Sequence, residues 1–162
     1  MGEVHSIISQ SSTLPPKKYK LGYTQGAFDM FHVGHLRLIN RASMQCEKLL
    51  VGVNSDALIS QYKNKTPIIP ENERAEIIRN IKSVDYCEIV NTLDKILLYK
   101  KYNFNAVFIG DDWKGSARWQ QTETALAEWN VPVIYLPYTK DISSTILREA
   151  RTNFVGDNNE NR

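Results

Sequence analysis

The sequence predicts an α/β fold: a single doubly wound, five-stranded parallel sheet with helices on both faces. Three observations lead there. The 162 residues fit one domain and are enough to bury a sizeable core. The 42% hydrophobic and 23% charged content is ordinary for a globular protein. Short β-rich runs also alternate with longer stretches of helical spacing, the pattern of βα units joined by right-handed crossovers. Sheets of this kind bind ligands at the carboxyl ends of their strands, so the chemistry is expected just after strands.

Each element has its own signal. Residues 1–20 are polar, Ser-rich and broken by Pro15-Pro16, and read as a flexible arm. The first strand is Leu21–Thr24, and Leu36, Ile39 and Ala42 share a face of the helix after it. Leu49–Val53 is the second strand, followed by a helix with Ile77, Ile78 and Ile81 on one side. Tyr86–Val90 leads to Ile96, Tyr99 and Lys100, and Ala106–Ile109 leads to Ala125 and Trp129. Val131–Leu136 is the fifth strand, before a last helix containing ILREA. Residues 21–152 form the domain, and 153–162 read as a disordered tail. Met1-Gly2 with Ser6 fits a myristoylation pattern, but a plain tail or cloning scar is the more ordinary source of so short a match.

Composition excludes several classes. Twenty Lys+Arg against eighteen Asp+Glu leave a net charge of +2, too balanced to advertise nucleic acid or an acidic membrane surface. No apolar run reaches the roughly 20 residues of a membrane span, and no secretory h-region follows Met1. Cys46 and Cys87 offer neither a disulfide framework nor a metal-binding spacing, and read as buried thiols in a reducing cytosol. A cytoplasmic, single-domain protein is expected.

After the first strand comes Gly26-Ala27-Phe28-Asp29-Met30-Phe31-His32-Val33-Gly34-His35, directly before an amphipathic helix. His32 and His35 stand three apart at the helix start, so both rings can face one patch. Gly34 leaves room for a ligand, and a helix N-terminus favours phosphate. Three readings stand: a zinc pair, a pair of core histidines, or imidazole donors aimed at a nucleotide's α-phosphate. Zinc is the weakest, because the remaining histidine is His5, in the arm.

The run GAFDMFHVGH resembles the G-x-F-D-x-x-H-x-G-H signature of cytidylyltransferase-like nucleotidyltransferases, which have a Rossmann-like HxGH fold. Three further segments match in order: Lys63-x-Lys65 with Glu73-Arg74, the run Gly110–Gly115 (GDDWKG), and Thr139–Thr145 (TKDISST). GDDWKG is closest to bacterial glycerol-3-phosphate cytidylyltransferases, and the resemblance covers about residues 21–150. It implies transfer of a cytidylyl group from CTP, with Mg²⁺ bridging its phosphates, to a small phosphorylated alcohol. Glycerol 3-phosphate is the best guess, and the CDP-alcohol would supply wall or capsule polymers. His32, His35, Lys63 and Lys65 would be catalytic, the lysines acting from a mobile loop. Gly26, Ala27, Phe28, Gly34, Arg74, Asp111, Thr139, Ile142, Ser143 and Ser144 would bind the nucleotide. Asp29 would orient the phosphate-binding turn or the acceptor, Lys65, Trp113, Tyr138 and Asp141 would meet the acceptor, and a homodimer is implied.

Each residue also has a plainer reading. The lysines are ordinary loop charges, Arg74 pairs with Glu71 or Asp85, the Asp111-Asp112 pair marks a turn, and Ser143 or Ser144 caps the last helix. The sequence also departs from the family pattern: Tyr138 replaces an Arg, Asp141 a Gly, Ala27 a Thr, and Lys82 an Arg. Losing an Arg weakens the grip on a phosphate. An aromatic face and a carboxylate would suit a cationic headgroup such as phosphocholine or phosphoethanolamine. The same motifs are compatible with an ATP-dependent adenylyltransferase of this fold and with a non-catalytic nucleotide-binding module.

Overall fold

A computed structural model describes residues 16–138. The expectations for Thr139, Asp141, Ile142, Ser143, Ser144, the last helix and the tail, and for all but the end of the N-terminal arm, lie outside the described residues.

Strand β1 (Tyr19–Gly26) is central, and the sheet order is β3-β2-β1-β4-β5, parallel throughout. The others are β2 (Cys46–Asn54), β3 (Tyr86–Val90), β4 (Ala106–Gly110) and β5 (Val133–Leu136). The helices are α1 (Val33–Ser43), α2 (Asp56–Lys63), α3 (Glu71–Arg79), α4 (Lys95–Tyr102) and α5 (Ala117–Ala127), and a 3₁₀ turn, Asp111–Trp113, leaves β4. All five expected strands form, with β1 and β2 starting earlier than expected and β5 starting after Pro132.

Residue alternation along the strands feeds two cores. Leu49, Val51, Val53 and Phe108 pack with Ile39 and Ala42 of α1 and Ala75 and Ile78 of α3. On the opposite face, Tyr23, Leu50 and Val107 pack with Leu98 of α4 and Trp119 and Leu126 of α5. Each large apolar side chain so buried contributes about 1.5–3 kcal/mol. Gly52 is needed in the second layer, because a Cβ there would collide with the Tyr23 hydroxyl. The Tyr23 ring is thereby free to stack on Phe104 at 4.7 Å.

The second crossover differs from expectation, carrying two helices instead of one. Ser55 caps α2 by accepting from the Leu58 N–H at 3.1 Å, Leu58 and Ile59 are buried, and Asn64 closes the helix in the left-handed region (φ 52°). Lys63 is therefore the last residue of a helix rather than part of a mobile loop. Ile81 and Trp129 lie beyond the ends of α3 and α5. Cys46 is buried and Cys87 half-buried, and burial raises both thiol pKa values.

The strand order reverses between β1 and β4. Their carboxyl ends frame the crevice where a sheet of this type binds ligands.

Candidate active site

The turn leaving β1 is held in an uncommon conformation. Phe28 (φ 52°) and Met30 (φ 48°) both occupy the left-handed region, which side chains disfavour. The Phe28 ring is buried under Gly26, where an added Cβ would come within 3.2 Å of it. Its edge meets His35, with ring centroids 5.4 Å apart and planes at 78°.

His32 is the N-cap of α1, and the two histidines form a reciprocal capping box. The Gly34 N–H donates to His32 Nδ1 at 3.0 Å, and the His32 N–H donates to His35 Nδ1 at 3.3 Å. Both Nδ1 atoms are acceptors, so each neutral imidazole carries its proton on Nε2. The rings stack at 3.8 Å. Burial lowers the His32 pKa, and burial together with neighbouring His32 holds His35 down to about 3. The pair thus presents neutral N–H donors of fixed tautomer. His35 lines the cleft at the switch point, and His32 stacks on it from the helix start.

That cleft, of about 220 Å³, joins the exits of β1 and β4. Gly26, Ala27, Phe28 and Asp29 form one wall and Gly110, Asp112 and Trp113 the other; Lys63, Lys65 and Tyr138 also line it. Among the described residues, most of those expected from the sequence therefore meet in one place. Asp112 faces the cleft, and burial raises its carboxyl pKa. Asp111, its expected partner, turns away and accepts from the Tyr138 N–H at 3.0 Å. Among the described residues, no cluster of three or more His, Cys, Asp or Glu could hold a metal ion. A Mg²⁺ arriving with a nucleotide would take most of its ligands from phosphate and water, with Asp112 a cleft carboxylate able to join them.

Residues 23–150 match the family model described as cytidylyltransferase-like. The chain belongs to the cytidylyltransferase-like family. It is 34% identical over 95 residues to the bifunctional protein HldE of Caulobacter vibrioides, an overlap of 58% of this chain and 20% of that protein. The chain thus spans about a fifth of the length of the curated relatives it matches. Among solved structures, it resembles a lipopolysaccharide core biosynthesis protein from Thermoplasma volcanium, with TM-score 0.63 and 21% identity, covering 76% of this chain and 99% of that one. It also resembles the pantoate-beta-alanine ligase of Francisella tularensis, solved with beta-gamma ATP and beta-alanine. There the TM-score is 0.55 and identity 14%, over 87% of this chain and 72% of that one. These two likenesses show a shared fold.

Two of the residues expected at the ligands, Arg74 and Asp29, make internal hydrogen bonds. Arg74 is fully buried, and its guanidinium donates to Ile69 O (2.8 Å), Ala27 O (2.6 Å), Asn54 O (2.8 Å) and Asp56 Oδ1 (2.7 Å). Its fork is occupied by the protein, so Arg74 ties three segments of the chain together. Neither Glu71 nor Asp85 is its partner: Glu71 accepts from the Asp56 N–H, and Asp85 from the Leu49 N–H and Lys48. Asp29, 2% exposed, accepts from the Ile68 and Ile69 N–H groups at 2.9 Å each, which anchors the loop carrying Lys65 and Thr66. Gly34 contributes its N–H to the capping box.

The sequence reading missed Gln25, Asn54 and Lys95. Gln25 accepts from the Tyr23 hydroxyl and donates to Asn54 and Thr92 O, and Asn54 donates to the Tyr62 hydroxyl. Gln25 and Asn54 each stand at the carboxyl end of a strand, a position that signals a site in this fold.

Proposed function

We propose that the chain transfers a cytidylyl group from CTP to a small phosphorylated alcohol, with glycerol 3-phosphate the best single candidate, and releases pyrophosphate. The carrying observation is the tautomer-locked His32–His35 pair at the switch-point cleft, faced by Lys63 and Lys65. A phosphate oxygen of the acceptor attacks the α-phosphorus. A new P–O bond forms as the bond to the β-phosphate breaks, and the electron pair leaves with pyrophosphate. An ionised phosphate needs no base, so the protein aligns the reactants and stabilises charge. His35 Nε2–H donates to the α-phosphate oxygens, and His32 holds the ring in place. Lys63 and Lys65 neutralise the triphosphate. Mg²⁺, if carried in on the nucleotide with Asp112 beside it, would supply Lewis-acid stabilisation of those phosphates.

The GDDWKG run that forms the β4 wall supports CTP. Adenylyl transfer is the second reading, favoured by the beta-gamma ATP bound in the Francisella ligase of the same fold. A cytoplasmic homodimer supplying wall or capsule polymers completes the proposal.

The test is pyrophosphate release with each nucleoside triphosphate against glycerol 3-phosphate, phosphocholine and phosphoethanolamine, with CTP and ATP affinities from calorimetry. CTP is expected to bind clearly tighter. Equal affinity or a preference for ATP would move the chain to the adenylyl reading. Nucleotide binding without turnover on any acceptor would make it a binding module.

A further inference from the structure

A chain of side-chain hydrogen bonds runs from the buried sheet to the last turn of α2. It starts at Tyr23, fully buried, whose hydroxyl donates to Gln25 Oε1 at 2.9 Å. Burial, with Tyr102 beside it, raises the Tyr23 pKa, so the phenol stays a donor. The Gln25 amide donates to Thr92 O at 2.9 Å and to Asn54 Oδ1 at 2.8 Å. Asn54, 3% exposed, then donates to the Tyr62 hydroxyl at 3.0 Å. A backbone carbonyl can only accept, so Thr92 fixes which end of the Gln25 amide faces which partner. That choice orients the Asn54 amide in turn, and its Nδ2 faces Tyr62.

The two ends of this chain differ in kind. Tyr23 stacks on Phe104 in the core, and Gln25 and Asn54 stand at the carboxyl ends of β1 and β2. Tyr62 lies in the last turn of an eight-residue helix whose buried residues are Leu58 and Ile59, while residues 60–66 are all exposed. The Asn54 bond therefore reaches out from the interior to a turn that packs little apolar surface. Directly after Tyr62 comes Lys63, whose ammonium lies 5.7 Å from the Tyr62 ring centroid, within cation–π range. Lys63 lines the cleft together with His35. An exposed tyrosine without a further role would give its hydroxyl to water. This one gives it to a buried amide.

We propose that Tyr62 is a positioning residue for Lys63: the Gln25–Asn54 relay fixes its ring, and the ring fixes where the ammonium meets the triphosphate. The proposal rests on the transferase reading, in which Lys63 neutralises phosphate charge, and adds the side chains that aim it. A lysine aimed in advance gives up less side-chain entropy when the nucleotide arrives.

The experiment is a double-mutant cycle on the full chain, with Tyr62→Phe, Lys63→Met and the two combined. Phenylalanine keeps the aromatic face and removes only the hydroxyl that Asn54 holds. Position 62 is 38% exposed, so water can take the vacated place, and a thermal melt close to wild type verifies folding. Tyr62→Phe should lower kcat/KM for CTP by roughly 10-fold, because a misaimed group loses contact in the transition state. In the Lys63→Met background the same change should cost less than about 2-fold. Calorimetry with inorganic tripolyphosphate, across the same four proteins, should show the same non-additivity in affinity. Equal losses from Tyr62→Phe in both backgrounds, no loss with Lys63 present, or a Lys63→Met that changes neither measure overturns the proposal. If no nucleotide turns over but tripolyphosphate affinity is Lys63-dependent and non-additive, the positioning stands and the transferase reading fails.

Discussion

His35 is a base that the fold keeps uncharged. Its ring lies against Phe28, Phe31 and His32, and its pKa falls to about 3 from an ordinary 6.5. Between those values the unfolded chain binds more protons than the folded one, so stability falls as pH drops from 6.5 toward 3. His35→Gln should flatten that part of the stability curve, measured by urea unfolding at a series of pH values. An unchanged slope would mean that His35 titrates alike in both states. In catalysis, His35→Ala should lower kcat by roughly 10²-fold while CTP affinity changes less, as loss of one preorganised donor does. Near-normal turnover by a stably folded variant would make the pair a capping device alone. At this scale the sequence was legible where the chemistry is local. Two histidines three apart after a glycine-rich strand exit were legible as a pair at a helix start, where they stack and cap α1. Arg74 was not legible, because its partners are three carbonyls 5, 20 and 47 residues away and the Asp56 carboxylate, and only the folded chain brings them together.

The elements around the site divide into those that carry ligand-facing groups and those that hold them. Strands β2 and β4 were plain from their runs of apolar and β-branched residues. Helix α2 was not: eight residues between strand and loop give little periodicity, and its best signal was the Ser55 cap. Its recognition moves Lys63 onto a fixed support and leaves the stretch after Asn64 as the adjustable part. Asp29 holds that stretch through two charge-assisted bonds, each worth about 1.5–3 kcal/mol when buried. Asn at position 29 keeps the size but loses the charge and one acceptor. Asp29→Asn should therefore lower the melting temperature, speed amide exchange at Ile68 and Ile69, and raise the CTP KM as Lys65 loses its frame. Exchange at those two amides as slow as in wild type would show that other contacts hold the loop.

Across the whole molecule, the sheet has an uneven seam. Strand β1 is in register with β2 from Tyr19 to Gly26, but with β4 only from Gly22 to Thr24. The β4–β5 half is thus joined to the rest by a short ladder and by the cores on either face, and the cleft opens at the carboxyl end of that ladder. A ligand there touches Gly26, His35 and Lys63 on one side and Gly110, Asp112 and Trp113 on the other, bridging the two halves. Binding to the folded form alone at roughly 100 times Kd adds about 2.7 kcal/mol of stability. If the ligand acts as a clamp, that gain is not spread evenly. CTP with Mg²⁺ should slow amide exchange in Ala106–Gly110 and Val133–Leu136 more than in Tyr86–Val90, which lies at the far edge beyond β2. Protection that rises equally in β3 and β5, or only in the turn after β1, would show that the nucleotide rests on the β1 side and leaves the seam unclamped.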